Sequence, residues 1–255
     1  MIRPFSSLAA MVALVAASLP LAARGEGEHA HWNYEKGHEG PTHWAELSPE
    51  YAACGPGKHH HQSPIDIRGA RKAKLPPIQI AYQPGAFTVV NNGHTIQVNV
   101  PPGSTLTVGD RRYELQQFHF HAPSEEAISG KHGALVAHLV HKDAEGKLAV
   151  IGVLFDVGGA NAVLAPVFAA MPHKAGTEAQ LGQALDPAAL LPKQLGYYEY
   201  EGSLTTPPCS EGVRWFVLQK RDTLSKEQLQ AFRKLYPHNA RPVQPLNGRT
   251  VEASS

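Results

Sequence analysis

Cysteine, charge of one sign and long apolar runs are all scarce in this chain, and each scarcity narrows its chemistry. Two cysteines in 255 residues cannot build a closed, thiolate-rich structural metal site. The balance of 23 Lys+Arg against 22 Asp+Glu offers no basic face for nucleic acid and no polybasic patch for a membrane surface. Aromatic residues make up only 7%, yet 42% hydrophobic residues suffice for a sizeable core. No repeat, linker or second composition regime interrupts the chain, so one domain is expected. Long helical bundles are disfavoured by 23 Gly and 21 Pro spread along the sequence, which point to a turn-rich β protein.

The one long uncharged stretch is N-terminal. Residues 4–23 carry no charge. Arg3 supplies a positive start, residues 8–17 an apolar run, and Pro20-Leu21-Ala22-Ala23 a small-residue exit. This reads as a secretory signal over residues 1–23, leaving 24–255 as the mature domain. Its removal takes Arg3 and no acid, so the balance becomes 23 − 1 = 22 against 22. The alternative is an uncleaved anchor, but the apolar run falls short of the roughly 20 residues a span needs. After cleavage no stable membrane insertion is expected, and the protein is periplasmic or secreted. An oxidising compartment would join Cys54 to Cys209; the alternative is two independent buried thiols.

Histidine is what the chain has in unusual number, 15 in all. Residues 24–62 are polar and His-rich, with Trp32, Tyr34, Trp44 and Tyr51 as anchors. There Lys58-His59-His60-His61 and the scattered His29, His31, His38 and His43 read as a solvated segment whose geometry nothing fixes. From about residue 78 onward, short β-type runs alternate with turns. Residues 87–100 form two alternating runs around Asn91-Asn92-Gly93, a hairpin signal. Further strands are expected at 115–121, 135–141, 148–155 and 213–219. Helices are expected at 162–169 and 225–235, where Ser225 and Gln228 resemble a capping box.

Chemistry concentrates in Gln117-Phe118-His119-Phe120-His121. Alternate strand residues share a face, so His119 and His121 project together with Gln117 beside them. The run 135–141 offers His138 on a face with Val136 and Val140. If the two strands pair antiparallel, three imidazoles converge, and three neutral nitrogens on a rigid sheet suit Zn²⁺ with its fourth position open. A bare His-x-His fits core histidines or a surface pair equally well; the third histidine shifts the balance to a metal. His119-x-His121-x₃-Glu125 also has cupin spacing, but the downstream Pro-x-Gly-x-x-His of that family is missing. A metallo-β-lactamase would need Asp-His where Ala122-Pro123-Ser124 stands.

The wider set of motifs resembles the α-class carbonic anhydrases of the bacterial, exported type. They are His31-Trp-Asn-Tyr34, Gln62-Ser-Pro-Ile-Asp-Ile67, Asn91-Asn-Gly-His94, Gln117-Phe-His-Phe-His121 and Ala137-His-Leu-Val-His141. Gly202-Ser-Leu-Thr-Thr-Pro-Pro208 and Asn239-Ala-Arg-Pro-Val-Gln-Pro-Leu246 follow in family order. The resemblance implies a mainly β single domain: a large, twisted, mostly antiparallel sheet with short peripheral helices. It implies reversible hydration of CO₂ to bicarbonate and a proton, with Zn²⁺ on His119, His121 and His138 lowering the pKa of its water to about 7. Its substrates are then CO₂, bicarbonate and water, and the assembly a monomer or homodimer. Bacterial members also pair a cysteine after Thr-Thr-Pro-Pro with one near the N-terminus.

The same resemblance distributes roles. Thr205 orients the attacking hydroxide and donates to a buried Glu125. Val140, Val150, Leu204, Val213 and Trp215 form the apolar wall, and Thr205 and Thr206 contact substrate. His94 is the proton shuttle, with Tyr34, Asn92 and Gln97 ordering the relay waters. Gln117 accepts from His119, and the Asn239 carbonyl from His121. Read without the family, Thr205 is a turn residue, Glu125 a solvated acid, His94 a turn histidine and the wall ordinary core. Two positions depart from the pattern: Val136 stands where a Glu is common, and Glu126 where a His is common. The expectation is that Glu126 accepts the free N–H of His138, with Tyr200 donating to Glu126; a surface Glu126 is the alternative. Competing functions are an exported, non-catalytic zinc or copper buffer and a silent module keeping the fold. A silent relative is expected to lose a ligand histidine, and none is lost.

Overall fold

The computed structural model describes residues 30–57 and 60–255. The leader, His29, Lys58 and His59 therefore lie outside the described residues. The chain is organised by one 13-stranded sheet, along which the main path runs Thr177–Gln180, Thr88–Asn91, Ile96–Asn99, Arg111–His121, Leu135–Lys142, Leu148–Val157, Glu211–Leu218, Tyr197–Ser203, Glu252–Ser254 and Arg71–Ala73. The expected hairpin forms, Thr88–Asn91 antiparallel to Ile96–Asn99. All four expected strands are present, and the one carrying His119 extends back to Arg111. The expected sheet is refined in one respect: it is mixed. Leu148–Val157 pairs in parallel with Glu211–Leu218 and with Asp222–Leu224, and Glu252–Ser254 with Arg71–Ala73.

Period-two alternation divides the sheet into a core face and a site face. Phe118, Phe120, Ala137, Leu139, Ile151 and Val153 point into the main core, where Phe168 and Phe232 of two short helices pack on them. Those helices are Leu164–Ala169 and Lys226–Leu235, and Ser225 with Gln228 closes the expected capping box on the second. The intervening His119, His121 and His138 must then face the other way. On that side the polar N-terminal segment is anchored as its aromatics suggest. Trp44 and Tyr51 are buried against the Cys54–Cys209 bridge, with Trp32 and Tyr34 packed alongside. The Trp44 indole N–H donates to the carbonyls of Asn33 and Glu39. Among the described residues, no helix is long and apolar enough to cross a membrane.

Candidate metal centre and active site

The antiparallel register places His138 directly opposite His119, and Gln97 opposite His119 on its other side. His121 lies two residues further along the same face. One ring nitrogen from each of His119, His121 and His138 lies within 4.8 Å of the others, and no other such group occurs among the described residues. His121 and His138 are buried to 1% exposure, and His119 is partly buried.

Each imidazole spends its other nitrogen on an acceptor. His119 Nδ1 donates to Gln117 Oε1 at 2.8 Å, and His121 Nδ1 to the Asn239 carbonyl at 2.7 Å. His138 Nε2 donates to both Glu126 oxygens at 2.9 and 3.1 Å. Because a carbonyl or carboxylate can only accept, these bonds put the proton on the named atom and leave His119 Nε2, His121 Nε2 and His138 Nδ1 as lone-pair donors. His121 Nε2 is buried with no hydrogen-bond partner. Burial, and then the charge of His138, hold the pKa of His119 down to about 3 and that of His121 well below the usual imidazole range. For His138 burial also works against charge, but the Glu126 carboxylate outweighs it and raises the pKa.

Asn239 is a junction rather than a single acceptor. Its side chain takes the Ala122 N–H and donates to the carbonyls of His94 and Phe120, so one residue ties the hairpin turn to the ligand strand. At that turn Gly93 has φ +89°, a conformation that a Cβ disfavours, and Asn92 Oδ1 accepts from the N–H groups of His94 and Thr95. His94 is thereby presented at the cavity, its ring stacked on Trp32 with centroids 3.7 Å apart. Partial burial, and then the nearby His31, lower its pKa.

Thr205 follows the strand Tyr197–Ser203, and three contacts fix its approach. Ser63 N–H donates to Ser203 Oγ, and Ser203 N–H to Ser63 Oγ, at 2.9 and 3.2 Å. Gly202 passes so close to Ser63 Oγ that any Cβ there would collide with it. Beyond Thr205, Cys209 N–H closes the turn on the Thr206 carbonyl, and the bridge fastens Cys209 to Cys54. Glu125 is fully buried, accepts the Arg241 backbone N–H at 2.8 Å, and has Oε2 3.6 Å from His121 Nε2 without a hydrogen bond. Burial pushes its pKa up to about 7, with Glu126 adding to the rise and His138, the Thr205 hydroxyl and the Arg241 N–H opposing it.

These groups meet in a cavity of about 170 Å³. Val140, Val150, Leu204 and Trp215 line one part, and Tyr34, Asn92, His94, Gln97 and Gln117 another, with His119, His121, His138, Thr205 and Thr206 between them. Two expectations need correction. Val213 does not line the cavity; it is buried behind it, packed in the cluster that contains Trp215. Tyr200 makes no hydrogen bond to Glu126: its ring stacks on Trp215 and its buried hydroxyl has no partner. Two residues given no role beforehand are Trp32 and Arg241. Trp32 was legible as an aromatic anchor, but only the fold sets it under His94. Arg241, 2% exposed, joins Glu125 to Gln62, Ser63 and Cys54; a buried arginine has no signature in a single sequence.

Comparison with known proteins agrees with this geometry. The family model for eukaryotic-type carbonic anhydrase matches residues 39–255. A carbonic anhydrase of Pectobacterium carotovorum is 48% identical, over 88% of this chain and 91% of its own length. One from Neisseria gonorrhoeae is 46% identical over 93% and 94%. The solved structure of an α-carbonic anhydrase from Thermovibrio ammonificans, in complex with sulfanilamide, superposes with a TM-score of 0.85 at 50% identity, covering 88% of this chain and all of that one. The chain belongs to the α-carbonic anhydrase family.

Proposed function

We propose that this member of the family hydrates CO₂ reversibly to bicarbonate and a proton, with a zinc ion held by His119, His121 and His138 and protons carried by His94. The observation that carries the reading is the three-imidazole cluster at the floor of a half-apolar cavity. The donor set fits zinc: three nitrogens of fixed tautomer, each oriented by a separate acceptor, with His121 Nε2 buried and unpartnered. When bound, zinc supplies the Lewis acidity that lets a water ionise near neutral pH.

The remaining work falls to the chain's own side chains. Glu125, held by the Arg241 N–H, is in this reading the acceptor toward which the Thr205 hydroxyl directs its proton. Thr205 Oγ is then free only to accept, which fixes the direction of the attacking oxygen's lone pair. Val140, Val150, Leu204 and Trp215 keep ordered water away from one side, where an uncharged, linear substrate fits. The polar side, with Asn92 donating to Gln97, holds water toward His94. An imidazole at the rim takes the released proton and passes it to buffer.

The same reading takes residues 1–23 as a secretory signal and 24–255 as the exported domain, in the periplasm or outside the cell. The Cys54–Cys209 bridge supports an oxidising destination. Stopped-flow CO₂ hydration, with and without chelator, tests the proposal. The zinc-loaded protein should accelerate hydration, lose the activity to chelator, and lose it permanently in His119→Ala. A buffer-only rate from zinc-loaded protein would overturn the enzymatic reading.

A further inference from the structure

We infer that Glu126 is the positioning residue for the third imidazole, supplying from a turn the carboxylate that the ligand strand itself lacks, and that it sets how tightly the site holds zinc. This rests on the three-histidine zinc reading above and extends it. Both Glu126 oxygens bracket His138 Nε2, and neither side chain is more than 1% exposed. No other acceptor for that N–H occurs among the described residues. Two positions before His138, on the same face of the strand, stands Val136, fully buried and apolar. It pairs with Leu154 on the neighbouring strand and belongs to the buried cluster that includes Val150, Tyr200 and Trp215. The Trp215 indole N–H is itself a donor, spent on the Ser203 carbonyl. Glu125 Oε2 stands 3.9 Å from His138 Nδ1, on the other side of the ring, so on the Nε2 side the carboxylate comes from Glu126.

The turn that carries Glu126 is pinned on both sides. Ser124 Oγ donates to the Glu126 carbonyl at 2.7 Å and accepts the Gly133 N–H at 2.7 Å. Ser124 N–H donates to the Gly133 carbonyl, and Ala127 is paired with both Asp66 and His132. A side chain leaving so fixed a backbone has little freedom to swing away. Its carboxylate holds the proton on Nε2, aims the Nδ1 lone pair at the other two imidazoles, and adds a negative charge close to the cation. Only one N–H is available, so positions 126 and 136 cannot both be acidic. Val136→Glu alone would force a second buried carboxylate against Glu126 with nothing to pair. Combined with Glu126→Ala, the same glutamate would find the N–H free.

The test is zinc affinity by competition with a chelating dye, on full-length mature wild type, Glu126→Gln, Glu126→Leu, Glu126→Ala, Val136→Glu and the Glu126→Ala/Val136→Glu double variant. Metal-free melts and the visible spectrum of the Co²⁺-loaded proteins accompany it. Losing such a partner typically weakens metal binding about 10–100-fold, so Glu126→Leu is expected near the upper end and Glu126→Gln, which keeps an acceptor, near the lower. The Glu126→Leu cobalt spectrum should change, while Glu126→Gln should melt, metal-free, close to wild type. Val136→Glu alone should melt lower without binding zinc more tightly, and the double variant should bind about tenfold more tightly than Glu126→Ala. Zinc affinity within about twofold of wild type in both Glu126→Gln and Glu126→Leu overturns the inference. If wild type itself takes up no zinc, or His119→Ala retains it, the three-histidine reading fails instead.

Discussion

Removing the Cys54–Cys209 bridge should cost much stability and comparatively little turnover, because the bridge and the hydrogen bonds beside it act on different states. It spans 155 residues, and for a loop of that size the chain-entropy model gives about 5 kcal/mol as an upper bound, exerted on the unfolded chain. For a domain of this length each kcal/mol corresponds to about 2–4 °C, so the melting temperature should fall by about 10–20 °C at most. In the folded state the same segments stay tied by other means. Gln62 Nε2 donates to the Cys209 carbonyl at 3.0 Å, Arg241 to the Cys54 carbonyl at 3.0 Å, and the Ser63–Ser203 pair holds the approach to Thr205. Guanidinium unfolding of the oxidised protein and of Cys54→Ala/Cys209→Ala measures the first loss. Stopped-flow hydration at a temperature where both are folded measures the second. Equal unfolding midpoints would refute the entropic argument, and abolished turnover in the folded variant would refute the claim that those hydrogen bonds hold the Thr205 loop.

His94→Ala should slow turnover about tenfold or more in weak buffer, with added imidazole restoring much of the rate; an unchanged rate would show another proton exit. Thr205→Val should lower turnover about 100-fold through misorientation while leaving zinc affinity unchanged, and a loss of zinc would contradict the orienting role. His141 lies outside the ligand set, donates to the Ala149 carbonyl and accepts from the Tyr82 hydroxyl, and burial pushes its pKa down to about 3. The unfolded chain therefore binds this proton first: the contribution is complete above about pH 6.5 and is lost as pH falls toward 3, by about 2 kcal/mol at pH 5. His141→Gln should show a shallower acid slope than wild type in denaturant titrations, and parallel slopes would sink the assignment.

Much of this was legible in the sequence because period-two alternation carries two messages at once. Phe118 and Phe120 announce a core face, so His119 and His121 must occupy the opposite one, and the run containing His138 repeats the pattern. The Asn91-Asn92-Gly93 turn and the Ser225–Gln228 capping box are local codes, readable within a few residues. What escaped depends on contacts between distant segments. The parallel pairings of Leu148–Val157 join strands separated by long connections, and no local pattern selects them. Val213 and Trp215 share a strand face, but only the packed fold shows that Trp215 reaches the cavity while Val213 stays beneath it. The Tyr200 expectation failed for a related reason: its ring stacks on Trp215 and its buried hydroxyl makes no hydrogen bond to Glu126, a spacing that only the packed fold sets.

Glu125 and Glu126 show how far position outweighs residue type. They are adjacent, both acidic and both fully buried, an arrangement that costs free energy unless each carboxylate has its own partner. The chain bends at Glu125 and Glu126, and the two side chains meet different partners, so neighbours in sequence need not compete for one site. Glu125 accepts the Arg241 N–H and lies 3.6 and 3.9 Å from ring nitrogens of His121 and His138 without bonding to them, whereas Glu126 hydrogen-bonds His138 Nε2. In the proposed reading the two acids divide the site's demands between them, Glu125 serving the residue that orients the attacking oxygen and Glu126 serving the third zinc-holding imidazole. Exchanging their partners would require turning the backbone that Ser124, Gly133 and Ala127 hold in place. The rigidity of that turn, more than the identity of its acids, is what lets two like charges serve one centre.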